Sequence, residues 1–109
     1  MSQPLGVFQP RGAAGATPNS TTNLAVTTAV QQLTLPAVPA EGATLRLVCS
    51  GTQTVFWSYG VSSGLTVSNG VPLLANTVEP FFVPGGATQI SLIAAATGST
   101  VYATIGDGQ

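Results

Sequence analysis

The sequence predicts an all-β protein: a small antiparallel β-sandwich, jelly-roll or immunoglobulin-like, with an extended N-terminal arm. Three observations predict it. Short runs of alternating apolar and polar residues recur at roughly 8–12-residue spacing, bounded by Gly- or Pro-bearing turns. No window sustains helical apolar spacing, and glycine and β-branched residues oppose helix throughout. The stretch VPLLANTVEPFFVPGGATQISLIAAATGSTVYATIGDG, Val71 to Gly108, reads as three strands in succession with a turn at every boundary.

Residues 1–22 form the arm. Pro4, Pro10 and Pro18 remove donors, and Gly6, Gly12 and Gly15 raise the entropy of ordering. Leu5, Val7 and Phe8 are an apolar cluster that a solvating tail does not need. They read as anchors that dock on a neighbour, against the alternative of a disordered or self-packed terminus.

Residues 23–109 form the sandwich. Asn23 to Thr28 and Gln31 to Leu35 are rich in Val, Leu and Thr, as strands are. Pro36, Pro39 and Gly42 make the next segment a loop or an edge crossing. In Ala43 to Ser50, Leu45, Leu47 and Cys49 fall on one face and Arg46 and Val48 on the other. Gly51, Thr52 and Gln53 read as a short hairpin loop, which would make the next strand, Thr54 to Tyr59, an antiparallel neighbour. There Val55, Trp57 and Tyr59 oppose Phe56 and Ser58. Gly60 to Gly70 reads as an exposed loop with room for a short strand at Leu65 to Val67. Pro72 marks Val71 to Ala75 as an edge. Thr77 to Val83 is ended by Pro84, Gly85 and Gly86. In Thr88 to Ala94, Ile90, Leu92 and Ala94 share a face; in Ser99 to Ile105, Val101, Ala103 and Ile105 do. The jelly roll and the immunoglobulin-like Greek key fit equally well, and strand order stays open.

A chain of 109 residues is one domain and can bury a core without metal or disulfide. Its charge is unusual: two basic and three acidic residues, 5% of the chain, against about a quarter in ordinary domains. Charged groups are depleted where surfaces meet, so much of this surface is expected to be covered by neighbouring subunits, against the alternative of a domain kept in solution by hydroxyls and amides. Two basic residues give no electrostatic footprint for nucleic acid, and no apolar run approaches the ~20 residues of a membrane span. The start, MSQPLGVFQPRG, lacks the pattern of a signal peptide, so synthesis in a cytoplasm is expected. Cys49, the only cysteine, reads as a buried inert thiol.

Nothing in the sequence reads as a catalytic, cofactor or metal site. Histidine is absent, which removes the commonest general base and metal ligand. The carboxylates Glu41, Glu79 and Asp107 share no local motif, and the Gly85–Gly86 pair lacks the lysine and following helix of a phosphate loop. Glu79 reads as a strand charge that pairs with Arg46 across two strands or accepts from loop N–H groups. Arg46 reads as a side chain that snorkels along an apolar face or pairs at a subunit interface. Trp57 and Tyr59 read as core aromatics, with a sugar-stacking platform as the alternative.

The strand pair LRLVCSGTQTVFWSYG, the segment PLLANTVEPFFVPGG and the end ISLIAAATGSTVYATIGDG resemble small virion proteins of tailed bacteriophages. These are β-sandwich subunits that decorate or cement the capsid or form the base of a head fibre. Val55, Trp57, Gly60, Pro72, Leu73, Glu79, Phe81, Pro84 and Gly85 carry the likeness, which spans Asn23 to Gly108 and leaves the arm outside. It implies a capsid-decoration subunit in the virion, bound to the major capsid protein or another virion protein, and a homo-oligomer with a trimer favoured. It implies no catalytic residue and no cofactor. Candidate partner contacts come from the residues and not from the resemblance: Leu5, Val7 and Phe8 as anchors of the arm, and Arg46 as a charge amid apolar neighbours. Rival roles are a neck or tail-completion protein, a head-fibre base and a surface glycan- or receptor-binding module.

Overall fold

A computed structural model of the protein describes residues 9–10 and 21–107. Nine strands form among them: β1 (Gln9–Pro10), β2 (Thr21–Val26), β3 (Gln31–Thr34), β4 (Ala43–Gly51), β5 (Val55–Tyr59), β6 (Val71–Leu73), β7 (Thr77–Val83), β8 (Gln89–Ala94) and β9 (Ser99–Asp107). They build two sheets. In the first the order is β2–β9–β4–β7, with β1 beside the far end of β9; in the second it is β3–β8–β5–β6. Every pairing is antiparallel.

The pairings follow one rule. Strand β2 pairs β9, β3 pairs β8, β4 pairs β7 and β5 pairs β6. The chain is thus one long ribbon folded back on itself, with the loop 60–70 at its tip. Rolling the ribbon brings β9 beside β4 and β8 beside β5. This is jelly-roll connectivity, one of the two sandwiches that the strand pattern allows.

Alternation places the core between the sheets. Leu45, Leu47 and Cys49 of β4 are buried, and so are Val101, Ala103 and Ile105 of β9 and Ile90, Leu92 and Ala94 of β8, each as its strand pattern predicts. The thiol of Cys49 is buried as expected and points to the Gln53 carbonyl at 3.5 Å. Trp57 packs edge-on against Tyr59 and Phe81.

One connection differs from expectation. The turn at Gly51 to Gln53 does not close a hairpin: β4 lies in the first sheet and β5 in the second. The short loop crosses between layers because side chains hold its backbone. Asn76 Oδ1 accepts from the Gly51 N–H, and Ser99 Oγ accepts from the Gln53 N–H while donating to the Gln53 carbonyl. Gly51 itself sits at φ 140°, and a Cβ there would come within 2.1 Å of the Gly98 carbonyl oxygen. Gly51→Ala is therefore expected to lose about 1–3 kcal/mol of stability, read from the urea midpoint; an unchanged midpoint would show that the crossing tolerates a side chain.

The first sheet also takes in Gln9–Pro10 and Thr21–Thr22 from the stretch that the sequence assigns to the arm. Leu5, Val7 and Phe8 lie outside the described residues.

Candidate docking surface

A two-layer sandwich has two outer faces, and this chain treats them differently. The second sheet's outer face carries Phe56 and Ser58 of β5 and Ser91 and Ile93 of β8. The loop 60–70 folds back onto it. Ser91, buried, donates its Oγ hydrogen to the Gly60 carbonyl at 2.8 Å and accepts from the Ser62 N–H at 2.9 Å. Leu65 is only 4% exposed, and a Cβ placed on Gly70 would meet both Leu65 and Phe56, so these two apolar groups close over one point. Asn69 holds the loop's own turn, accepting from the Thr66 N–H and donating to the Gly64 carbonyl. No strand forms at Leu65 to Val67; the segment is a loop of turns, exposed over most of its length as the sequence predicts, but pinned to the sheet through Leu65 and Ser91.

No element among the described residues covers the first sheet's outer face. Residues directly opposite in an antiparallel pair share a face, so the register assembles it row by row. Val48 lies opposite Val78 on one side and Tyr102 on the other, and Tyr102 lies opposite Asn23. Arg46 lies between Pro80 and Thr104, and Thr44 between Phe82 and Gly106. Phe82 is 65% exposed, Val78 47% and Tyr102 40%. Among the described residues Arg46 is the sole charged side chain on this face. The result is an apolar patch crossing three strands around one guanidinium.

Two residues of β7 shape its margin. Glu79 lies opposite Leu47 and is half-buried, facing inward, whereas Arg46 faces out opposite Pro80. The two occupy opposite faces of one sheet, so the cross-strand Arg46–Glu79 pair does not form. An inward-facing charge and a proline on an outermost strand both deter the addition of another strand. Edge β7 is thus closed to pairing while its outward side chains stay open.

The aromatic platform is excluded for Trp57, which is 1% exposed and part of the core. Tyr59 is partly exposed, and its hydroxyl donates to the Phe82 carbonyl, tying β5 to the rim of the apolar face. Burial raises the Tyr59 phenol above its ordinary pKa of 10.0. A raised phenol pKa means that the unfolded chain releases this proton first. Its stabilising contribution is therefore fully present below pH 10 and is lost as pH rises through the folded-state value. Denaturant curves taken at increasing alkaline pH are expected to show this loss in the natural chain and not in Tyr59→Phe. An equal loss in both would assign it to other groups.

The sequence singled out Arg46 but not Val78, Phe82 or Tyr102. A signal was there: consecutive Phe81 and Phe82 on a period-2 strand cannot share a face, so one ring must point away from the core. Phe81 contacts Trp57 inside, with ring centroids 4.8 Å apart, and Phe82 is left outside. Among the described residues no group of three or more His, Cys, Asp or Glu could hold a metal ion, and no helix is long and apolar enough to cross a membrane. Comparison with known protein families, with curated proteins and with solved structures finds no match to this chain.

Proposed function

We propose that this protein is a non-catalytic structural module that docks through the outer face of its first sheet onto a repetitive protein lattice. In the form that the sequence resemblance implies, it is a capsid-decoration subunit of a virion, bound to the major capsid protein and made in the host cytoplasm. The observation that carries the reading is the contrast between the two outer faces. The loop 60–70 is seated on one, whereas on the other Val78, Phe82 and Tyr102 are exposed with no described element over them. Fully burying an apolar side chain contributes about 1.5–3 kcal/mol, so a partner that covers this patch gains several such increments, less the ordering costs of association. Leu5, Val7 and Phe8 of the arm would add a second, tethered contact and raise the effective concentration of the first. Jelly rolls serve viral capsids, lectins and cupins alike, so the fold is compatible with the reading and the face gives it weight.

Quantitative mass spectrometry of purified particles against the major shell protein tests it. A ratio near stoichiometric is the expected result. A handful of copies per particle would move the protein to the neck or tail, and absence from particles would remove the virion reading.

A further inference from the structure

A sandwich of two open sheets has four edge strands, and natural edges are normally blunted against pairing. Three of the four here are. Strand β7 has Pro80 and inward-facing Glu79, β6 is only three residues long and contains Pro72, and β3 is four residues long and is followed closely by Pro36. Strand β2 has none of these devices. It is six residues long, TTNLAV, without proline or charge, and among the described residues it pairs with β9 alone. Its outward side chains Thr21, Asn23 and Ala25 are exposed. The neighbouring edge β3 stands on the same wall of the sandwich, tied to β2 by the Thr22 hydroxyl donating to the Thr34 carbonyl at 2.7 Å. No charged residue occurs between Thr21 and Ala40, so among the described residues β2 and β3 bring no charge to repel a copy of this edge and none to attract a charged partner.

We propose that β2 pairs antiparallel with β2 of a second copy, joining two first sheets into one continuous sheet about a twofold axis. An antiparallel edge is self-complementary, because its N–H and C=O groups alternate identically from both ends, and this is what an isologous contact requires. Asn23 lies opposite Tyr102, so the junction runs in line with the row that carries Tyr102, Val48 and Val78. The two docking faces then become one surface on the same side of the merged sheet. The pair closes on itself as a dimer, unlike the trimer that the resemblance favours. It stands on the edge geometry alone and does not depend on what the module docks on.

The full chain, without any lattice present, is measured by sedimentation velocity over a concentration series. The expected species is a dimer. In Asn23→Lys/Ala25→Lys, lysines from the two copies meet across the axis, and the dissociation constant is expected to rise on the order of 100-fold. Asn23→Asp/Ala25→Asp is expected to dissociate similarly, and mixing the two variants is expected to restore a mixed dimer. Circular dichroism confirms that each variant stays folded. Hydrogen exchange is expected to be slow at alternate β2 amides in the dimer and fast in the lysine variant. A monomer throughout the series, a closed trimer, or a dimer indifferent to both variants would overturn the proposal.

Discussion

Trp57→Ala is expected to lower the unfolding free energy by about 3–5 kcal/mol. The indole is 1% exposed, flanked in register by Leu92 and Val71, and stands edge-on to Tyr59 and Phe81 at centroid separations of 5.0 and 4.8 Å. Alanine removes the largest side chain of the core and both edge-to-face contacts, and the rigid strands around it cannot collapse into the space. Domains of this size are stable by about 5–15 kcal/mol, so one substitution would consume a large share. Trp57→Phe is expected to lose much less. It keeps an aromatic ring in place and removes a buried Nε1–H that has no hydrogen-bond partner among the described residues, a group whose burial itself costs about 1–3 kcal/mol. Urea denaturation followed by circular dichroism measures both. A loss below about 1.5 kcal/mol for alanine would mean that the ring is not packed as described.

The largest effect on binding is expected from Val78→Lys combined with Phe82→Lys. Both side chains point away from the core, so stability should change by no more than about 1 kcal/mol. The Phe82 ring does lean on Gly42, where an added Cβ would lie 2.6 Å from its Cζ, and part of that small cost arises there. Docking should weaken by at least roughly 30-fold, the size of a central contact worth about 2 kcal/mol. The lysines remove apolar area and bring two charges into a patch that holds one. Val78→Ser/Phe82→Ser separates the two causes, since it removes the area and adds no charge. Co-sedimentation with particles stripped of the natural protein measures binding. Full binding by both variants would show that the lattice meets another surface.

Much of this fold is written in local alternation. Leu45, Leu47 and Cys49 face the core because each lies two residues from the next, and the same holds for Ile90, Leu92 and Ala94. Period-2 patterning says which face a residue takes but not which strand lies beside it. That is why the turn at Gly51 reads as a hairpin: three residues suffice either to reverse a strand or to step between layers. What decides is long-range, the hydroxyl of Ser99 and the amide of Asn76 meeting the loop from elsewhere in the chain. The loop Gly60 to Gly70 is exposed as expected, but its seat on the second sheet was hidden for the same reason. Its polar composition suits solvent, and only the contact of Ser91 with Gly60 and Ser62 shows that it lies on the sheet. The docking surface was half legible. Alternation put Arg46 and Val48 together on the face opposite Leu45, Leu47 and Cys49, whereas no local pattern shows that Val78, Phe82 and Tyr102 lie beside them.

The folded-ribbon topology also sets an order of events. Closing a loop costs more entropy as the loop lengthens, so β5 and β6, nearest the tip, meet most cheaply, and of the four edge strands β2, which pairs with β9 near the far end of the ribbon with only the two-residue β1 beyond it, is expected to be placed last. Folding by such non-local pairing is slow, in the range of milliseconds to seconds. During that time β2 is not yet a sheet edge: it is laid down only when β9 is already in place. The one edge that is neither short nor interrupted by proline or charge is thus the last to form, and it becomes available to a second copy only on a chain whose core is already closed. Left unblunted on the first strand pair to form, the same edge would invite partly folded chains to add to one another. At the end of the ribbon, assembly waits for folding.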